Sequence, residues 1–548
     1  MSELTFKRFG TQIDCSRNAV MNVKSIKQWI DLVAAMGHNT LMMYTEDTYE
    51  VDGHPYFGYG RGRLTKEEMK EINAYGAERG IELIPSINTL AHMGTIFRWK
   101  PYAEIHDCED IMLCDDERTY ALIDDIFRTL SECYTSKVVN VGMDEAGMLG
   151  RGKYYDAHGD ARRIDIIYRH LQKVAEIAKK YGKELLIYSD MFYSLATHAE
   201  YSDETAQVVE DVATQIPDNV SLVYWNYYKR TVEDYSAIMN VHRQIKPEGL
   251  WYYGGTWNWF SFNPENSYGI AHLSNAIKAC QNTGVENMII SMWGDDGGEC
   301  GRFASLPAVF WATELAKGNT NEADIKKKFE KLMGVPFDQF ILLDLTSLGE
   351  TERYGSHPSR YILYNDPFIG LMDLTLPEST RADHEKLAAQ LAPLCKHPEW
   401  GYMFETMHDL CAVAAEKCDI GQRIRAAYDA CDLKELKKLS KELRRIAKLV
   451  RKFYLSFRKQ WMLENKGHGF DVSDARIGGV MTRLESCADR LEDYIDGRIE
   501  RIEELEEELL DVRCPGHAEY GKRMYMDYWG KGRHYADIVS ANVVGKGY

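Results

Sequence analysis

The 548-residue sequence predicts an α/β protein, a (β/α)8 TIM barrel with a C-terminal α-helical region. Three observations carry that expectation. Short β-branched runs alternate with amphipathic stretches from about residue 10 to 320. Acids, aromatics and glycines fall just after many different strand candidates: Glu46 and Asp47, Asn88 and His92, Asp144 and Glu145, Asp190, Asn226 and Tyr227, Trp257, Asp295 and Asp296. Beyond about residue 320 the strand signals stop and helical periodicity takes over. A doubly wound open sheet shares the βα alternation, but it gathers only the strand ends at its switch point. A barrel gathers all eight around one pocket, so decorated ends after seven strands favour the barrel.

In order, the strand candidates are residues 12–14, 40–44, 82–86, 138–141, 184–188, 221–225, 250–254 and 287–293. Helical stretches between them include 25–36, 66–79, 117–134, 165–181, 203–216 and 266–283. "AAMGHNT" and "ERGIEL" read as helix-to-strand joins in which glycine stops the helix. These units assign residues 1–320 to the barrel and 321–548 to the helical region. There, "LKELKKLSKELRRIAKLVRKFYLSF" sets Leu436, Leu439, Leu443, Ile446, Val450, Phe453 and Phe457 three and four residues apart, one apolar stripe on a long helix. "IGGVMTRLESCADRLEDYIDGRIERIEELEEELL" reads as a second helix with an acidic, solvated outer face. Two such helices could pack as a hairpin or pair across a homodimer. The Tyr-, Pro- and Arg-rich segment 350–375 reads as a linker that packs on a neighbouring surface, the barrel rim being one candidate.

Composition narrows the function. The chain is 45% hydrophobic and 27% charged, as in an ordinary globular protein, with a net charge of −18. That balance argues against nucleic-acid and anionic-membrane partners. The start, MSELTFKRFG, has no apolar signal segment, and no apolar run is long enough to span a membrane. The 12 cysteines are scattered without a C-x-x-C pair, as expected of reduced core thiols in a cytoplasmic protein. No H-E-x-x-H occurs, so no metal and no cofactor is expected. The glycines of "GYGRGR" (58–63) follow no strand-to-helix turn, so that stretch reads as a rim loop rather than a phosphate loop.

The sharpest feature is "VVNVGMDEAGMLGRG", where Asp144 and Glu145 stand side by side directly after a strand. Two carboxylates at an apolar strand end repel each other, so the pair needs a chemical reason. Metal binding would call for further His or acid ligands. Glycoside hydrolysis calls for a proton donor and a group that stabilises a developing positive charge on the sugar. The surroundings favour sugar: Trp225, Tyr227, Tyr228, Trp251, Trp257, Trp259 and Trp293 lie at or just past strands, where flat rings can stack on sugar faces. Some of these rings also suit a plain barrel core. Acids adjacent in sequence fit neither the retaining nor the inverting two-carboxylate spacing well. They do fit substrate assistance, in which the sugar's own 2-acetamido oxygen attacks the anomeric carbon.

With these motifs in hand, the chain resembles family 20 glycoside hydrolases, the β-N-acetylhexosaminidases. "NVGMDEAGMLGRG" resembles the Asp–Glu motif that ends strand four of that family's barrel. "IDCSRNAV" (13–20), "MYTEDTYEV" (43–51), "PSINTLAHM" (85–93) and "SMWGDDGGEC" (291–300) resemble its motifs at strands one, two, three and eight, in the same order. The direct start on the barrel and the helical C-terminal region look most like a compact bacterial branch.

The resemblance implies that Glu145 is the general acid/base and Asp144 the carboxylate that orients the acetamido group. His92 and Glu46 match a supporting pair behind them. Trp293 and Trp257 would wall the sugar pocket beside Trp225, and Asp295 would accept from O4 or O6. Tyr227 or Tyr228 would donate to the acetamido oxygen. The chain departs from the family where His and a second Gly are common, having Asn140 and Met143. The usual substrate-binding Arg position holds Phe9, so Glu46, Asp47 or Arg17 would supply hydroxyl recognition; Arg17 equally suits an ion pair. The strand-five motif reads Tyr188-Ser189-Asp190, with Tyr where Trp is common. The expectation is an exo-acting enzyme removing terminal β-GlcNAc or β-GalNAc from a small oligosaccharide or glycoconjugate. The alternatives are a retaining β-glycosidase with an enzyme nucleophile and a non-catalytic glycan-binding barrel.

Overall fold

The computed structural model describes residues 4–209, 215–295, 297–345 and 357–511. Eight strands form a closed barrel in sequence order: β1 (Arg8–Asp14), β2 (Thr40–Glu46), β3 (Glu82–Ile87), β4 (Val138–Asn140), β5 (Glu184–Tyr188), β6 (Val220–Trp225), β7 (Trp251–Gly255) and β8 (Asn287–Met292). Every neighbouring pair is parallel, and β8 closes on β1 with Arg8 opposite Asn287. All eight expected strands are present, with ends shifted by a few residues.

Alternation along each strand decides what enters the barrel. Met42 and Tyr44, Ile84, Val138, Leu186 and Tyr188, Val223, Trp251 and Tyr253, and Ile289 fill its interior, with Trp225 and Trp293 packed against them. Trp251 is therefore core. By the same alternation Glu46 ends the inward column of β2, and Asn88, Tyr227 and Trp293 follow those of β3, β6 and β8.

Amphipathic helices connect the strands, and their caps are local. Thr65 and Glu68 form a reciprocal capping box at the Lys66–Ala77 helix. Gly37 ends the Val23–Met36 helix at φ 95°, where its N–H reaches the last carbonyls, as the "AAMGHNT" join implies. One expected helix differs: after β5 the helix is Asp190–Thr197, while residues 203–206 form a turn, 207–209 are irregular and 210–214 lie outside the described residues. The Asp203 carboxylate accepts from Thr205 N and Oγ1 at 2.9 and 2.7 Å, a turn that competes with helix.

The chain divides into two compact units. The first comprises Met1–Trp257, Glu265–Gly294 and Ser305–Phe337; the second comprises Asn258–Pro264, Asp295–Ala304 and Asp338–Tyr548. Two loops from within the first 320 residues thus pack in the second unit. There, Phe262 meets Phe453 and Phe457 edge-on at 5.1 Å. Glu299 is buried between Arg360 and Arg476 at 2.6 and 2.9 Å.

The predicted stripe lies on the helix Leu433–Glu464 and is buried along its length. It packs against the helix Phe470–Ile495 as a hairpin. That second helix was expected to run to about 510; it stops at Ile495, and Gly497 follows at φ 70°. Residues 350–356 of the expected linker lie outside the described residues. The rest includes the helix Pro358–Tyr364, whose Tyr361 and Ile362 pack with Met372, Ala414 and Cys418 inside the second unit.

Candidate active site

The loop after β4 resolves the question of two adjacent carboxylates. Neighbouring side chains on extended backbone point to opposite faces. Here Gly142, Met143 and Glu145 have φ values of 70°, 71° and 51°. Left-handed backbone folds the loop back on itself, and both carboxylates reach one atom. His92 Nε2 lies 3.2 Å from Asp144 Oδ2 and 3.5 Å from Glu145 Oε2. Gly142 is required at its place: a Cβ there would sit 1.7 Å from Asn88 Oδ1. Glu46, His92 and Trp257 are also non-glycine residues at positive φ, 47°, 59° and 58°. Strain of this kind collects where side chains must be aimed rather than merely packed.

His92 is itself held. Its backbone N–H donates to Asp110 Oδ2 at 3.1 Å, and its Nδ1 lies 3.7 Å from the same oxygen. Asp144 is 9% exposed, whereas the Glu145 side chain is 44% exposed and opens to the mouth. Behind Glu145, Asp190 Oδ2 accepts the Glu145 backbone N–H at 2.7 Å. Burial first, and then the neighbouring Asp144, push the Asp190 carboxyl up to about 8.

The remaining candidates divide between the site and its scaffold. Glu46 accepts from Arg17 Nη1 and from the Tyr44 hydroxyl at 3.1 Å, and Tyr44 accepts from Asn88 at 2.9 Å. Arg17 and Glu46 thus form a buried ion pair at the mouth. Asp47 is 1% exposed and bonded to Arg61 Nε at 2.9 Å; Arg61, from the "GYGRGR" loop, also reaches Ser16 O. Arg8 is far from any such role, since it pairs with Glu82 at 2.8 Å at the strand starts.

Aromatic residues wall the opposite side. Trp293 packs edge-on against Tyr44 at 4.8 Å and donates its Nε1–H to the Tyr227 hydroxyl at 2.7 Å. Trp257 Nε1 donates to Tyr227 O at 2.9 Å. Trp225 stacks on Tyr227 at 5.6 Å, and Tyr228 meets Trp257 edge-on at 5.3 Å. Burial pushes the Tyr227 hydroxyl well above its ordinary 10, so it stays a proton donor. Asp295 and Trp259 fall in the second unit.

Donor atoms of His92, Asp144 and Glu145 lie within 4.8 Å of one another. A divalent cation could bridge that spacing, and so could one imidazole shared between two carboxyls. Of the supporting residues, Asp110 and Arg61 carry no local sequence signal. Asp190 does, as an acid directly after the fifth strand candidate.

The sequence matches the description "Glycosyl hydrolase family 20, catalytic domain" over residues 6–289 and "Glycoside Hydrolase 20C C-terminal domain" over 338–525. A chitooligosaccharidolytic beta-N-acetylglucosaminidase of Ostrinia furnacalis is 26% identical over 161 residues, covering 25% of this chain and 26% of that protein. Hexosaminidase D of Bos taurus is 20% identical over 298 residues, covering 50% and 82%. With the Entamoeba histolytica beta-hexosaminidase subunit beta, 26% identical, the match covers 27% of this chain and 30% of that one. The chain therefore spans less than a third of the Ostrinia and Entamoeba proteins. The solved beta-N-acetylhexosaminidase of Bacteroides fragilis superposes with a TM-score of 0.46 at 17% identity, covering 62% of this chain and 72% of that one. With the catalytic-domain match spanning more than half its length, the chain belongs to glycosyl hydrolase family 20.

Proposed function

We propose that this protein is an exo-β-N-acetylhexosaminidase that removes terminal, non-reducing β-GlcNAc or β-GalNAc with retention. The observation that carries the reading is the convergence of Asp144 and Glu145 on His92 at the barrel mouth. Two carboxyls adjacent in sequence and turned onto one imidazole suit poorly the scheme in which a nucleophile and an acid flank the sugar from different strands. They can serve a substrate that brings its own nucleophile.

In this mechanism the acetamido oxygen attacks C1 while Glu145, the more open of the two acids, protonates the departing oxygen. Asp144, nearly buried, accepts the acetamido N–H and balances the charge of the oxazolinium ring. Water then attacks C1 from the face the leaving group vacated, giving its proton to Glu145, so configuration is retained. His92, braced by Asp110, fixes the two acids. Tyr227 is the better donor to the acetamido oxygen: its oxygen already accepts from Trp293, which directs its own hydrogen elsewhere. Trp225, Trp257 and Trp293 wall the sugar, with Tyr228 packed on Trp257. Arg17 and Glu46 supply polar edges for hydroxyls. Asp47, locked to Arg61, serves the loop rather than the sugar.

No helix among the described residues is long and apolar enough to cross a membrane. The described cysteines are free, most of them buried, which fits a reducing cytoplasm. The long helices bury their stripe against each other within one chain, so a homodimer would use another face; sedimentation of the full chain measures it. Turnover of an aryl β-GlcNAc against the matching aryl β-glucoside tests the function. Hydrolysis of the first alone, with tight inhibition by a GlcNAc-thiazoline, is expected. Equal rates on both would mean an enzyme nucleophile instead.

A further inference from the structure

β4 and β5 are tied together beyond the end of their ladder. Val141 N donates to Leu186 O at 2.9 Å, and Tyr188 N donates back to Gly142 O at 3.0 Å. Past Gly142 the chain turns left-handed, with Met143 and Glu145 also at positive φ. The next link is made by a side chain: Glu145 N donates to Asp190 Oδ2 at 2.7 Å. Asp190 opens the helix Asp190–Thr197 two positions past Tyr188 of the barrel core, so the helix fixes its backbone. It is 8% exposed, and its Oδ1 is buried with no hydrogen-bond partner among the described residues.

We propose that Asp190 is a positioning residue for Glu145, holding the turn that aims the Glu145 carboxyl at the leaving oxygen. The inference rests on the acid/base reading of Glu145 given above. Without the Asp190 acceptor, the Glu145 N–H loses its partner and a backbone at φ 51° loses the bond that offsets its strain. The carboxyl would then sample positions about 1 Å away, enough to cost about 100-fold in a proton transfer.

Electrostatics agrees with a positioning role. Asp144 and Glu145 face Asp190 from the β4 loop, and Tyr201 faces it from the segment after its helix. Burial, and then the neighbouring Asp144, hold the Asp190 carboxyl well above the usual carboxylate range, which disfavours a third negative charge beside the pair while leaving an oxygen to accept the N–H. An amide can do the same, since its carbonyl oxygen is also a neutral acceptor.

The test compares Asp190→Ala, Asp190→Asn and Glu145→Gln on two aryl β-GlcNAc substrates, one with a good leaving group and one with a poor one. Asp190→Ala is expected to lower kcat about 10–100-fold on the poor leaving group, with a smaller loss on the good one. Its KM and thiazoline inhibition constant should stay near wild type, which also reports a folded sugar site. Asp190→Asn should restore most of kcat. Wild-type kcat in Asp190→Ala, an equal loss on both leaving groups, or no rescue by Asn overturns the inference. If Glu145→Gln is itself fully active, the functional reading fails first; if Glu145→Gln is impaired while Asp190→Ala is not, only this inference fails.

Discussion

Removing Arg61 should destabilise the barrel unit more than any surface change near it. Its guanidinium is 2% exposed and bonded at 2.9 Å to Asp47, whose side chain is 1% exposed. Arg61→Met keeps most of the stem's packing but leaves a buried carboxylate without its partner. Breaking one side of a buried pair costs about 3–5 kcal/mol. For a unit of this size that is about 6–10 °C in Tm, at about 2 °C per kcal/mol.

The pH dependence has a definite sign. Burial raises the Asp47 carboxyl above its ordinary 3.8 in spite of Arg61. Its favourable contribution is therefore present below that value and lost as pH rises through the raised one. Without Arg61 the folded value climbs further, so the loss in Arg61→Met should be larger at pH 7.5 than at pH 5. Urea unfolding at both pH values measures it. Arg61→Met/Asp47→Asn should recover at least about 1 kcal/mol of the loss by removing the stranded charge. A single variant within about 1 kcal/mol of wild type would refute the reasoning, as would a double variant no more stable than the single one.

Two further outcomes follow from the same geometry. Gly142→Ala adds a methyl 1.7 Å from Asn88 Oδ1 at φ 70°, so it should cost about 2–4 kcal/mol in urea unfolding and lower kcat by moving the Asp144–Glu145 turn. Leu443→Ala, at the middle of the fully buried helical stripe, should cost about 2–5 kcal/mol in unfolding of the helical unit, read by circular dichroism, and leave KM unchanged.

The barrel was legible in the sequence because its strands alternate and its decorated ends repeat. The ends Glu46, His92, Glu145 and Trp257 were visible as residue types after strands. Their positive φ values were not, since left-handed backbone at a non-glycine residue is imposed by the surrounding packing. Arg61 lay hidden for a similar reason: its partner is 14 positions away and joined only by a loop fold. Over 203–209, the described start of the helix expected at 203–216, no helix forms, because the apolar rhythm there competes with the turn made by Asp203. The helix expected to reach 510 stopped at Ile495, since acidic periodicity alone cannot outlast Gly497 at the helix end. The interleaving of 258–264 and 295–304 with the helical unit left no mark at all, because those loops carry the glycines and aromatics that a barrel rim would also use.

The central claim is that Glu145 moves the proton while Asp144, its neighbour, holds the substrate's own nucleophile. Steady-state turnover of an aryl β-GlcNAc by Glu145→Gln tests it most directly. A fall in kcat of about 100-fold or more is expected on a poor leaving group, with thiazoline binding retained. Wild-type turnover in Glu145→Gln on that substrate would contradict it.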